Sequence, residues 1–235
     1  MTAPSISFTP NFEHRNLADQ CADHIVLLIA SGELQPGQRV FEKDICARLG
    51  VSRVPVREAF RILQAQGVIA TEPNRGSFVN EFGSVETAEL LEVRLSVERL
   101  ALRRFSDRVA QGETELGILE TAIDAMRRAA RLNDQLSYCQ ADLAFHQKIV
   151  ELSQSHLLVP LWASLSRGVL VFLMQERNVL FDYQESIEEH VYLVELIRSG
   201  RQAALDREIE RHIISNVRRK AHQVDAVPAK GSAAS

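Results

Sequence analysis

Apolar positions in the first third of this chain keep a helical period, switch briefly to a strand period, and then return to helix for the rest. From about Asn16 to Ser31 they fall at Leu17, Cys21, Ile25, Leu28 and Ile29, one stripe of an amphipathic helix. VFEKDICARLG comes next as a short helix with Ile45 and Leu49 inward and Gly50 placed to end it. In the next segment, which opens VSRVPVREAFR, Val56, Ala59, Phe60 and Leu63 again recur at helical spacing, so one face packs and the other stays free. Val68 to Thr71 and Ser77 to Val79 then read as two short strands joined by a turn containing Pro73, Asn74 and Gly76. Helix, turn, helix and hairpin in that order predict a winged helix-turn-helix.

Glu81 to Ser84 reads as a link, with Ser84 placed as the N-cap of the next helix. From there to about Ala221 every segment has helical period. Breaks fall at Gln111 and Gly112, at Leu132 and Asn133, near Ser153 to Ser155, near Leu180 to Asp182, and at Ser199 and Gly200, which predicts six helices. Residues 1–12 are polar with two prolines, and the final residues DAVPAKGSAAS are small and polar; both ends are expected to be disordered. There is no internal repeat. The expected fold is mainly α: a winged helix-turn-helix domain over 13–82 followed by an all-α six-helix bundle over 84–221.

The free face of the third helix carries the first candidate chemistry. Arg53 and Arg57, four apart, project together from the helix start. Ser52 is placed to N-cap that helix, and Pro55 lies in the first turn, where its missing N–H breaks no hydrogen bond. A guanidinium fork matches both the O6/N7 edge of guanine and a phosphate. At the wing tip Arg75 stands beside Gly76, a cation next to a close backbone approach that suits a minor groove. The formal net charge is only −4, yet residues 35–80 hold seven Lys or Arg (39, 43, 48, 53, 57, 61, 75) against four acids (42, 44, 58, 72), a local excess of three. That localisation excludes a nonspecific binder coated with lysine and fits a protein that presents one face to double-stranded DNA.

Cys21, Cys46 and Cys139 are scattered and form no CxxC, so they imply neither a disulfide framework nor a zinc ribbon and are expected to be small buried residues in a reducing compartment. No charged-then-apolar leader opens the sequence, and no apolar run approaches the ~18 residues of a membrane span. A soluble, cytoplasmic protein with no membrane partner is expected.

A second constellation lies in the helical region. Asp142 and His146 are i, i+4 on one helix, and His190 and His212 each lie on a later one. His146 belongs to the stripe Leu136, Cys139, Leu143, His146, Val150; His190 lies between Ile187 and Val194; His212 comes after Leu205 and Ile209. All four groups therefore point into a bundle core, where an unpaired carboxylate would cost several kcal/mol. Three neutral imidazoles and one carboxylate make a competent site for Zn²⁺ foremost, or Ni²⁺, Mn²⁺ or Fe²⁺, with up to two positions open in an octahedral shell. Arg94, with Glu98 four residues on, lies along the inward stripe of the first bundle helix. The pair reads either as an ion pair at the core edge or as an effector clamp, with Glu98 orienting Arg94 against a carboxylate. Tyr138, Trp162, Phe172 and Tyr192 are aromatic candidates for a pocket wall or for plain core. A metalloenzyme would need a base near the metal-bound water, and Glu189, beside His190, points about 100° away on its helix. A regulator that senses the ion itself remains open.

The run GELQPGQRVFEKDICARLGVSRVPVREAFRILQAQGVIATEPNRGSFV, residues 32 to 79, resembles the winged helix-turn-helix domain of GntR regulators. The resemblance implies operator contacts by Lys43, Arg53, Arg57 and Arg75 with Gly76, and a phosphate contact by Arg48. Val54 stands where Thr is usual and Phe60 where Leu is usual. Residues 87 to 220 resemble the FCD effector-binding domain in the runs DLAFHQKIVELS, EEHVYLVELIRSG and RHI, and the six-helix count resembles its shorter, VanR-like branch. His156 stands where Asn is usual and reads as a surface loop residue. The resemblance implies a ligand-responsive repressor working as a homodimer on an inverted repeat, with a metal beside a small organic acid.

Overall fold

The computed structural model describes residues 16–176 and 182–215. The expected disordered ends, residues 1–12 and 222–235, lie outside the described residues. α1 (Leu17–Ala30) starts at Asn16, whose side chain accepts the Asp19 N–H at 2.8 Å. It packs on α3 (Arg53–Ala65), and α2 (Glu42–Leu49) crosses α3 on another side. Ile25, Ile29, Ile45, Val56, Ala59, Phe60 and Leu63 fill the space between them. Of the expected α1 stripe, Leu17 is half exposed, because the first turn overhangs the core.

Gly50 ends α2 with φ +67, a left-handed conformation that glycine adopts without a Cβ penalty. Ser52 occupies the N-cap position of α3, but its hydroxyl makes no capping hydrogen bond. Capping uses the N–H of the second or third helical residue; the third, Pro55, has none, and the hydroxyl does not turn to that of Val54 at the second. The hydroxyl is left exposed at the helix mouth.

The wing has one strand more than expected. β2 (Ile69–Glu72) and β3 (Gly76–Val79) form the hairpin, and β1 (Arg39–Val40) pairs antiparallel with β3, giving the order β1-β3-β2 with Arg39 opposite Phe78.

Six helices complete the chain's described part: α4 (Ser84–Ala110), α5 (Gly117–Arg131), α6 (Gln135–Leu152), α7 (Leu158–Glu176), α8 (Tyr183–Ser199) and α9 (Gln202–Glu210). α4 starts directly after Gly83, its N-cap, one residue earlier than expected. A π-helical turn, Arg211–Ser215, continues α9. Asp134 caps α6 and Asp182 caps α8, and Gly200 closes α8 at φ +63. α6 packs against α4, α5 and α7 together, so Tyr138, Phe145 and Ile149 are as buried as Cys139 and Val150, and the single expected stripe widens to most of the helix. Tyr192 is exposed, His156 lies on a surface turn as expected, and Cys46 is half-buried rather than buried.

α7 is the one helix among the described residues long and apolar enough to cross a membrane, with mean hydropathy 1.4 over Leu158–Gln175, a length the sequence pattern did not suggest. Its middle carries Arg167, whose Nε donates to Asp23 Oδ1 at 2.8 Å and whose Nη2 donates to Asp19 Oδ1 at 3.0 Å, both on α1. Packed on α1, α4 and α6, it is a bundle helix that ties the winged head to the helical body. A cavity of about 370 Å³ lies at this junction, lined by Asp19, Asp23, Glu151, Trp162 and Arg167.

Candidate DNA-contact face and metal centre

At the start of α3 the two arginines stand on the face opposite Val56, Ala59, Phe60 and Leu63, and both are exposed. Arg57 Nε lies 3.6 Å from Glu42 Oε2, a solvent-exposed contact too weak to hold the side chain. Lys43 and Arg48 are exposed on α2, Arg48 donating to Glu33 at 2.5 Å. At the wing tip Arg75 pairs with Glu72 and lies 5.5 Å from the Phe78 ring centre. Gly76 has φ +96, and a Cβ there would come within 3.0 Å of the Arg39 guanidinium. Arg39, stacked on Phe41 at 4.8 Å, is an exposed cation at the wing base that the sequence motif did not single out. The helix mouth thus presents two exposed guanidinium groups with little to compete for them, and the wing tip a third in an exposed ion pair with Glu72, surfaces suited to base edges and phosphates.

The bundle brings Asp142, His146, His190 and His212 together, with one donor atom from each inside 4.8 Å of the others. His146 and His190 are fully buried, Asp142 nearly so, and His212 projects from the π turn. Insertion of a π turn re-aims side chains relative to the preceding α-helix and is frequent at functional sites. His146 Nε2 and His212 Nε2 are 3.2 Å apart, and His190 Nε2 is 3.4 Å from Asp142 Oδ1.

Two of the imidazoles are hydrogen-bonded through their other nitrogen, and the third sets its own against a carboxylate. His190 Nδ1 donates to the Ser186 carbonyl at 2.7 Å, His212 Nδ1 to Glu189 Oε2 at 3.0 Å, and His146 Nδ1 lies 2.5 Å from Glu98 Oε2. With the protons drawn to Nδ1, bare Nε2 lone pairs converge beside a carboxylate, and His190 Nε2 is buried with no hydrogen-bond partner within the protein. With both protons on Nδ1, the Nε2 lone pairs of His146 and His212 face each other at 3.2 Å, and a shared cation relieves their repulsion. The donor set therefore fits a divalent ion.

Arg94 and Glu98 are joined at 2.6 Å, Nε to Oε1, and both are buried in the core rather than at its edge. Burial alone would raise the Glu98 carboxyl, but the positive charges of Arg94 and His146 beside it hold it down to about 2. Burial pushes both His146 and His212 below the usual imidazole range, His212 to about 4 with the charge of His190 adding to the effect and the Glu189 hydrogen bond opposing it. The signs predict a pH response of the metal-free protein. Unfolded histidine takes a proton near pH ~6.5 and folded His212 only near 4, so stability falls as pH drops from about 6.5 towards 4. The contribution of Glu98 is lost only below its unfolded value, towards about 2. Urea midpoints of chelator-treated protein should fall steadily from pH 7 to 5; a flat profile contradicts a neutral buried cluster.

Glu189, read from its own helix as pointing away, reaches His212 on the next element and is also bound by Arg211 Nη1 at 3.0 Å. It is engaged on both oxygens and is not a spare base.

A winged helix-turn-helix head with an exposed arginine pair, carried on a helical bundle, is the make-up of a DNA-binding transcription regulator. Residues 17–79 match the bacterial regulatory proteins of the gntR family and residues 89–215 match the FCD domain. The chain belongs to the GntR family, as a regulator with an FCD domain, and is not an enzyme. It is 28% identical over 214 residues, 91% of this chain and 92% of the relative, to the "Probable D-xylose utilization operon transcriptional repressor" of Paenarthrobacter nicotinovorans. It is 24% identical over 184 residues, 77% of this chain and 78% of the relative, to the HTH-type transcriptional repressor RspR of Escherichia coli strain K12. Among solved structures, E. coli McbR/YncC shares the fold with TM-score 0.76 at 19% identity, covering 90% of this chain and 100% of that one. A GntR protein from Rhodococcus sp. RHA1 does so with TM-score 0.73 at 23% identity, covering 87% and 97%.

Proposed function

We propose that this regulator is a repressor that binds an inverted-repeat operator as a homodimer and is released by a small carboxylate metabolite held beside a metal in the bundle. The observation that carries the reading is the convergence of the imidazoles on the Asp142 carboxylate, with the Nδ1 atoms of His190 and His212 hydrogen-bonded away from the cluster and that of His146 turned to the Glu98 carboxylate. Asp142, His146, His190 and His212 would hold the ion, Zn²⁺ in preference to Ni²⁺, Mn²⁺ or Fe²⁺, and when bound it supplies open coordination positions for an anionic ligand. Arg94 is the second anchor. Its Nη2 and the Trp162 Nε1 are buried without a hydrogen-bond partner within the protein, and the guanidinium carbon lies 5.8 Å from the Trp162 ring centre. Two unanswered donors, one of them cationic, suit an effector carboxylate, with Glu98 keeping Arg94 in place.

On the DNA side, Arg53 and Arg57 read bases, while Lys43, Arg48, Ser52 and Arg75 with Gly76 meet phosphates and the minor groove. Val93 and Leu100, seven apart on α4, are about half exposed, at 49% and 51%, and offer apolar surface to a second copy. α7 offers a route between the sites. Trp162 packs near His146, ring centres 6.3 Å apart, and Arg167 five residues on grips α1. Names of the relatives as repressors support the sign of regulation.

Metal-loaded protein screened by thermal shift against small carboxylates should show a rise in Tm for the effector, and that compound should weaken operator binding. Finding no carboxylate that does both would defeat the effector reading. If stripping the metal alone released DNA, the ion itself would be the signal.

A further inference from the structure

Two site histidines share one unusual arrangement: behind each stands a carboxylate that an arginine holds from the far side. On α4, Glu98 Oε1 accepts from Arg94 Nε at 2.6 Å, and its Oε2 lies 2.5 Å from His146 Nδ1, an ion-pair contact off the line of a hydrogen bond. On α8, Glu189 gives Oε1 to Arg211 Nη1 at 3.0 Å and Oε2 to His212 Nδ1 at 3.0 Å. Arg211 is itself fixed at the start of the π turn by Glu208, Nη2 to Oε1 at 2.5 Å. Two Arg–Glu–His relays, built from α4 and α6 on one wall and from α8 and the π turn on the other, thus meet where the two Nε2 atoms face each other.

We propose that Glu98 and Glu189 are positioning residues that lock His146 and His212 in the Nδ1–H tautomer and so aim their Nε2 lone pairs at the ion. The inference rests on reading the Asp142 and histidine cluster as a cation site. An ionised carboxylate only accepts hydrogen bonds, so the imidazole proton must lie on the nitrogen facing it, and the opposite nitrogen keeps its lone pair. Glutamine has the same shape but one acceptor end and one donor end. If its carbonyl faces the arginine, its NH₂ faces Nδ1 and selects the Nε2–H tautomer, which has no lone pair to give. If its carbonyl faces the imidazole, its NH₂ opposes a guanidinium N–H. A carboxylate is the one side chain of this length that satisfies both neighbours.

The two relays differ in a way that sharpens the test. Arg94 is 4% exposed and has nowhere to turn, whereas Arg211 is 39% exposed and has Glu208 and water to satisfy it, so that the amide introduced by Glu189→Gln can offer its carbonyl to His212. Glu98→Gln should therefore weaken binding more than Glu189→Gln, about 100-fold against about 10-fold, the range found for outer-sphere partners of metal ligands.

Two measurements decide it. Co²⁺ is titrated into the full-length protein and its variants, reading the visible d–d bands and competing with a chelator. In parallel, ¹⁵N-imidazole NMR on the metal-free proteins reads the tautomers directly. Expected are Nδ1–H at both histidines in the wild type, Nε2–H at His146 in Glu98→Gln, the stated losses of Co²⁺ affinity, and no change in Glu188→Gln, an exposed neighbour bonded to Gln184. Glu189→Asp, which keeps two acceptors, should retain the tautomer. If Glu98→Gln does not fold, the wild-type tautomers and the smaller Co²⁺ loss in Glu189→Gln decide the proposal. Wild-type tautomers of Nε2–H, or variants with unchanged tautomer and Co²⁺ affinity, overturn the proposal. A wild type that binds no Co²⁺ defeats the cation reading instead, and the metal-free tautomers still decide the positioning.

Discussion

Arg53→Ala should abolish specific operator binding and leave the protein folded. The side chain is exposed at the first position of α3 and fills no part of the head's core, so its loss should change stability by no more than about 0.5 kcal/mol. A bidentate arginine–guanine contact discriminates against a wrong base by about 1–3 kcal/mol, and the proposed homodimer would forfeit that at both half-sites. Binding to unrelated duplex, which depends on phosphate contacts, should fall much less. Lys43→Ala should behave in the opposite way, with a modest and uniform loss across sequences and a shallower salt dependence. Anisotropy titrations at one fixed salt concentration, with an operator selected from a random duplex pool and a scrambled control, separate the two patterns. Unchanged operator affinity in Arg53→Ala would remove α3 from the major groove.

That helix was legible because its signals are local. Cap position, proline, apolar spacing and the glycine that ends α2 all lie within a few residues of the arginines, and the structure keeps each in its role except the Ser52 hydroxyl, which makes no capping bond. The four clustered groups were legible for the same reason, since Asp142 and His146 stand four apart on α6 and His190 and His212 fall at inward positions of the elements that follow. What escaped depends on distant partners. β1 is two residues long and exists only because Phe78 and Ser77 pair with it. Arg167 is an ordinary charge in an apolar helix until α1, 144 residues away in sequence, brings Asp23 to it. Glu189 points away from His190 on α8, yet α9 and the π turn deliver His212 to it from outside. α6 lost its single stripe because three helices surround it, and a helix buried on most sides carries little 3.6-residue contrast.

Substituting His190 tests the body as Arg53 tests the head, and the expected effect is as large. His190 is fully buried, its Nδ1 anchored on Ser186 and its ring edge-on to Phe145 with centres 4.8 Å apart. Alanine there removes one of four donors and opens a small cavity, so the metal-free variant should itself melt lower, by an amount that reflects packing alone. The informative quantity is the increment that metal adds. An ion present at about a hundred times its Kd stabilises the folded wild type by about 2.7 kcal/mol, and a site with one donor missing should lose nearly all of that. The winged head keeps its own core around Val56, Phe60 and Leu63, so operator binding by His190→Ala should persist while its response to the effector disappears. An unchanged metal-dependent rise in Tm would mean that the ion sits elsewhere and that the converging imidazoles serve packing alone.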